Sequence, residues 1–254
     1  MSLEPVTTPQ APVVPHKRRH PVRTWAARLA NGLKRARGDM TTRRQRLLGH
    51  LEALFVDHSV FRLVWSNRFP VSDRMWRSNQ PTAGQIGGLA DKGIRTIVNL
   101  RGVRDCAAYL MEVEACRRHG IALVDYPIRS REPPSKEAIR GLKYLFERIE
   151  YPALLHCKVG SDRAGMMSAL FLMVGEGRPV EEAQAQLSWR YGHVRQSKAG
   201  VLDRFLDEYR VHRDRTGEDF MTWVETVYDP VDMKRRFRSQ RWADVLYDDL
   251  LKRE

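Results

Sequence analysis

Cysteine is scarce in this chain, and no apolar run in it is long enough to cross a bilayer. Three cysteines, Cys106, Cys116 and Cys157, are spread over 254 residues. So sparse and odd a set argues against a disulfide framework and fits a reducing compartment. The longest apolar segment, Ala164 to Val174, falls well short of the roughly 20 residues a span requires. It reads instead as a buried helix. The first fifteen residues show no apolar stretch behind a positive start, so no secretory signal is expected. These shortages predict a soluble cytoplasmic protein, with peripheral membrane contact left open.

Acidic residues are also in deficit, 31 against 44 Lys and Arg, for a net charge of +13. The imbalance is local. Residues 16–46 hold eleven Lys or Arg against one acidic residue, Asp39. Residues 1–15 are polar and Pro-rich and read as a disordered tail. Residues 16–69 read as a basic helical extension, with helices over 26–33 and 47–55. Their expected apolar face is Trp25, Leu29, Leu33, Leu47, Leu48, Leu51 and Leu54. Such a segment can pack on its own chain, or residues 16–55 can lie on an anionic membrane surface. Nucleic acid is the least favoured partner, because no nucleic-acid fold motif accompanies the charge.

From Arg74 onward, β and α patterns alternate: strand 75–78, helix 82–92, strand 94–100, helix 106–118, strand 121–128, helix 135–149, strand 153–157, helix 163–175. This alternation predicts an α/β fold with a mostly parallel sheet flanked by helices. Helices over 179–190, 199–214 and 218–227 complete a domain spanning 70–228. Residues 229–254 read as a C-terminal helix, with Phe237, Trp242, Val245, Leu246 and Leu250 at helical spacing. The loop 190–196 contains His193, Arg195 and Gln196. It reads as a surface loop, with contact to substrate as the alternative.

The chemistry concentrates in Leu154-Leu-His-Cys-Lys-Val-Gly-Ser-Asp-Arg-Ala-Gly165. An apolar strand precedes Cys157 and an apolar helix follows Arg163, so the loop amides of Lys158, Val159, Gly160, Ser161, Asp162 and Arg163 fall at a helix N-terminus. Unpaired N–H groups and the helix dipole there attract an anion. The same field favours a thiolate over a thiol. Cys157 is thus a candidate nucleophile. The Arg163 guanidinium is a candidate fork for two phosphate oxygens. Gly160 permits a positive φ that side chains resist. Cys-x5-Arg alone is a weak signal; His before the Cys, Gly three after it and Arg-x-Gly at the end make it specific.

These residues resemble the protein tyrosine phosphatase superfamily, in particular its atypical dual-specificity branch of bacterial and fungal type. Arg74-Met-Trp-Arg-Ser-Asn-Gln-Pro81 and Gly93-Ile-Arg-Thr-Ile-Val-Asn-Leu-Arg101 extend the likeness, which covers about residues 70 to 215. The resemblance implies metal-independent hydrolysis of phosphate monoesters through a phosphocysteine intermediate, without a cofactor. It assigns Cys157 as nucleophile and Arg163 as phosphate ligand. It also implies a general acid on a loop before the nucleophile, where Glu132 stands instead of the usual Asp. Glu132 is favoured for that role, then Asp162 inside the phosphate loop, then Asp125. Ala164 departs from the Ser or Thr usual after the loop Arg, a hydroxyl that assists release of the thiolate in the second step.

Substrate remains open at this level. A phosphorylated protein, as for a tyrosine or dual-specificity phosphatase, is the first expectation. Lys158, Arg129 and Arg131 also suit an inositol phosphate or phosphoinositide. A phosphate-binding adaptor with negligible turnover is the non-enzymatic alternative.

Overall fold

The computed structural model describes residues 31–38, 40–55 and 66–239. The expectations for residues 1–30, and those for Trp242 to Leu250, lie outside the described residues, as do the side chains of Leu54 and Phe55.

Five strands form one sheet in the order β1-β2-β5-β3-β4. They are β1 (Phe69–Pro70), β2 (Met75–Asn79), β3 (Thr96–Asn99), β4 (Ala122–Asp125) and β5 (Ala153–Cys157). Only β1 runs antiparallel, pairing Phe69 with Arg77; the other pairings are parallel. The α/β fold with a mostly parallel, helix-flanked sheet is therefore the one observed. β5 is central, and its register puts Cys157 opposite Asn79 and His156 opposite Asn99.

The strands alternate between two cores, as a period of two requires. Leu154 and Ile97 face one side, with Ile86 and Leu89 of α3 (Ala83–Asp91) and Ala115 and Cys116 of α4 (Ala107–Arg118). Here α1 denotes helical residues 31–37 and α2 is Arg43–Phe55. Ala153, Leu155, Cys157, Val98 and Met75 face the larger core. That side is covered by α5 (Lys136–Arg148), α6 (Asp162–Leu170), α7 (Val180–Gln184), α8 (Val201–Thr216) and α9 (Phe220–Thr226). Met233, in α10 (helical residues 230–239), is buried in the same core.

Local signals explain the boundaries. Thr82 and Gln85 form a reciprocal capping box at α3. Ser135 Oγ accepts from Ala138 N at 3.2 Å and starts α5, whose Ile139, Leu142, Leu145 and Phe146 are buried at helical spacing. α6 continues as a π turn, Phe171–Gly175.

The helix expected over 179–190 stops at Gln184. Ser188 is extended, with φ −134° and ψ 158°, so the chain turns before a separate 3-10 turn at Trp189–Tyr191, and Gln186 O accepts from Arg77 Nη1 at 2.6 Å.

The basic extension docks differently from its expected apolar face. Leu47 is 62% exposed, while Glu52 and Ala53 are buried. Met40, Ala53 and Ala107 form a small core with Leu110 and Met111 of α4. Arg37 is buried against it, its Nε donating to Glu52 Oε2 at 2.5 Å and its Nη2 contacting Asp105 Oδ1. Part of this segment's cationic charge is therefore satisfied inside the protein.

Candidate active site

β5 ends at Cys157, and α6 begins five residues later at Asp162. Lys158, Val159, Gly160 and Ser161 make the turn between them. The Cys157 thiol is 3% exposed and accepts from Gly160 N at 3.2 Å, so the loop curls over the sulfur. Gly160 has φ +86°, and a Cβ there would lie 2.6 Å from Asn79 N and 2.8 Å from Ser78 C. Backbone on that side cannot yield, so the position requires glycine twice over. Gly165 is constrained by space alone, with Gln186 O 2.6 Å from a notional Cβ. Arg163, in the first turn of α6, reaches back across the loop to Leu100 O, 3.3 Å from its Nη1.

Two groups of side chains brace this turn from behind. On the side of the larger core, Arg77 is fully buried. Its Nη2 donates to Gly160 O at 2.8 Å and Ser161 O at 3.0 Å, and its Nη1 to Gln186 O and Oε1. The guanidinium also lies 4.0 Å from the Tyr191 ring centroid. With those carbonyls drawn backward, the neighbouring amides are free to face the front. Burial lowers the Arg77 pKa to about 10, opposed by Tyr191 and Cys157. Asn67 adds a second brace, its Nδ2 donating to Val159 O and Tyr191 O, each at 3.0 Å.

On the other face, His156 Nε2 lies 2.7 Å from Glu112 Oε1 with both side chains fully buried. Glu112 Oε2 accepts from Gln80 Nε2 at 2.7 Å, and Gln80 Oε1 accepts from Arg101. A buried polar chain thus runs from the residue before Cys157 to the loop after β3.

The candidate proton donors sit in three different settings. Asp162 Oδ1 lies 2.8 Å from His193 Nδ1, and His193 Nε2 lies 2.7 Å from Asp203 Oδ2 of α8. Burial disfavours charge on His193, but hydrogen bonds to Asp162 and then Asp203 outweigh it and raise the pKa to about 9. Asp125, at the end of β4, accepts from Asn99 Nδ2 and Tyr109 Oη, both at 2.7 Å. Glu132, in the loop before α5, accepts from Lys234 Nζ at 2.6 Å and Arg129 Nη1 at 2.9 Å. The Lys234 hydrogen bond leads in holding its pKa below the usual carboxylate value. Cys157 and Gly160 are brought together, with the Arg163 guanidinium on Leu100 O; Glu132 is engaged elsewhere, with α10.

The loop 190–196 departs from the expected surface setting at Tyr191 and His193, both of them buried. His193 is 2% exposed, because two carboxylates draw it inward, whereas Arg195 stays exposed and pairs with Asp207. Arg77, Asn67 and Glu112 had no assigned part in the sequence reading. Arg77 carried a signal, a charged residue in a strand otherwise patterned for burial. Asn67 and Glu112 carried none, since a lone Asn before a strand and a Glu within a helix are ordinary. Cys116 is buried and its thiol is pushed up to about 12 by burial and then by Glu112.

A sulfur cupped at a helix N-terminus after the central strand of a mostly parallel sheet, with an arginine in the first turn of that helix, defines a cysteine-dependent phosphatase. The family described as DSP-PTPase phosphatase fused to NAD+ kinase matches residues 66–201, more than half of the chain. The chain belongs to that family. Among solved structures it is similar to TpbA of P. aeruginosa, at 19% identity over 59% of this chain and 91% of that one, with a TM-score of 0.46. It is also similar to the core catalytic domain of the PP-IP phosphatase SIW14 of S. cerevisiae, solved with citrate. There the identity is 14% over 60% of this chain and 94% of that one, with a TM-score of 0.46. No curated protein matches the chain. Among the described residues, no helix is long and apolar enough to cross a membrane.

Proposed function

We propose that the chain hydrolyses phosphate monoesters through a phosphocysteine intermediate, with Cys157 as nucleophile and Arg163 as the phosphate fork. The observation that carries this reading is the Gly160 amide turned onto the Cys157 sulfur at 3.2 Å, ahead of the first turn of α6. A loop at a helix N-terminus that turns an amide onto the sulfur can offer its backbone N–H groups to phosphate oxygens. In the first step the sulfur–phosphorus bond forms, the bond to the leaving oxygen breaks, and that oxygen takes a proton. In the second, water attacks phosphorus, the thiolate leaves, and the water proton passes to the carboxylate that gave one before.

Glu132 is the proposed donor. Its pairs with Arg129 and Lys234 are surface contacts of little strength, so they can open when substrate enters. Asp162 and Asp125 each hold partners within the fold.

Phosphotyrosine or a phosphorylated Ser or Thr in a protein is the proposed substrate. Inositol phosphates are the second reading, favoured by Lys158 next to the nucleophile. A phosphopeptide and inositol phosphate panel separates them. The core experiment is metal-free hydrolysis of an aryl phosphate in reducing buffer. Cys157→Ser should abolish turnover while keeping phosphate affinity, and Arg163→Lys should lose both, since an ammonium lacks the fork. Glu132→Gln should lose about 100-fold or more on an alkyl phosphate and far less on an aryl phosphate with a good leaving group. Turnover by Cys157→Ser at the wild-type rate would overturn the mechanism.

A further inference from the structure

We propose that His193 is a positioning residue for phosphate binding, an imidazolium that ties Asp162 of the phosphate loop to Asp203 on α8 and so holds the loop open to an anion. The inference rests on the phosphatase reading above and adds a residue to it.

The geometry carries it. Each ring nitrogen of His193 faces a carboxylate oxygen, Asp162 at 2.8 Å and Asp203 at 2.7 Å, and the ring is almost wholly buried. A neutral imidazole has one donor and one lone pair. In this setting the lone pair would face a carboxylate, so only the doubly protonated ring satisfies both partners. Asp162 and Asp203 are the charged groups that act on the ring. Arg195, two residues on, is turned instead to Asp207.

The consequence lies in where Asp162 stands. It immediately precedes Arg163, and a free carboxylate there would compete for the guanidinium and repel a phosphate dianion. His193 supplies the compensating charge and turns Asp162 away. Segment 186–193 grips the phosphate loop at three points. Arg77 links Gln186 O to Gly160 O and Ser161 O, Asn67 links Tyr191 O to Val159 O, and His193 links to Asp162. Of the three, the His193 link is the one that depends on an imidazole proton.

The test measures inhibition by inorganic phosphate, with kcat and KM for an aryl phosphate, from about pH 6 to about pH 10. Each variant is divided by wild type at the same pH, which cancels the ionisation of phosphate itself. His193→Gln should weaken phosphate inhibition about tenfold and raise KM in step, with kcat changed much less, as expected for one lost charge-assisted link. Asp203→Asn keeps an acceptor for Nε2–H while removing one charge. It should bind phosphate like wild type at the acid end and lose affinity at a lower pH than wild type, whose loss is centred near 9. If His193→Gln does not fold, the Asp203→Asn profile decides. Wild-type phosphate affinity in both variants across the whole range overturns the proposal. A wild-type enzyme that neither hydrolyses aryl phosphate nor binds phosphate overturns the phosphatase reading itself, and the positioning role with it.

Discussion

Arg77 Nη2 donates to Gly160 O at 2.8 Å, joining a fully buried guanidinium to the residue whose amide faces the Cys157 sulfur. The peptide planes of the loop are thus set from both sides, with carbonyls held behind and amides offered in front. Arg77→Met keeps much of the volume but leaves Gly160 O, Ser161 O and Gln186 O without that donor. Each unsatisfied buried carbonyl costs about 1–3 kcal/mol. The variant should lose several kcal/mol in chemical denaturation, bind phosphate more weakly and alkylate more slowly at Cys157. An unchanged denaturation midpoint with unchanged phosphate affinity would remove Arg77 from this role.

Gly160→Ala meets backbone at 2.6 Å in a positive-φ position. The loop must distort, so phosphate affinity and turnover should fall together. The fold should persist, because the strain is confined to the turn. Circular dichroism beside phosphate inhibition checks both halves of the expectation.

His193 makes stability depend on pH in a definite direction. Its folded value, about 9, lies above the ordinary 6.5. The stabilisation is therefore complete below about pH 6.5 and disappears as pH rises through about 9, an effect of at most about 3 kcal/mol. Denaturation midpoints should fall over that window in wild type and stay flatter in His193→Gln. A parallel fall in both would sink the assignment.

Arg37 and Glu52 form a buried pair that fastens the N-terminal helices to the start of α4. Removing one partner leaves the other charge buried, at a cost of about 3 kcal/mol or more. Arg37→Ala should expose residues 31–55 to limited proteolysis. An Arg37→Met, Glu52→Met double variant should restore protection, since apolar side chains of similar size can replace a buried ion pair.

How much was legible beforehand follows the range of each interaction. The strand and helix positions around Cys157 could be read because alternation and helical spacing are local, and each register follows from its own apolar residues. Cys157, Gly160 and Arg163 could be read because one short turn brings them together. The helix expected over 179–190 runs too long because its tertiary partner at Gln186, Arg77, lies far back in the chain. His193 was expected at the surface for the same reason. A loop His looks solvated until α6 and α8 bring two carboxylates to its ring.

Local pattern in the chain suffices for the αβ alternation, the cysteine-to-arginine turn, the glycines that turn requires and the concentration of charge near the N-terminus. Each depends on residues within a few positions of one another. Which groups hold the turn in shape is set by the folded arrangement: Arg77 and Asn67 behind it, Glu112 beside His156, and the Asp162–His193–Asp203 bridge. Hydrogen bonds between distant segments leave no periodic trace in a chain, and burial makes their energies large once folding has brought the partners together.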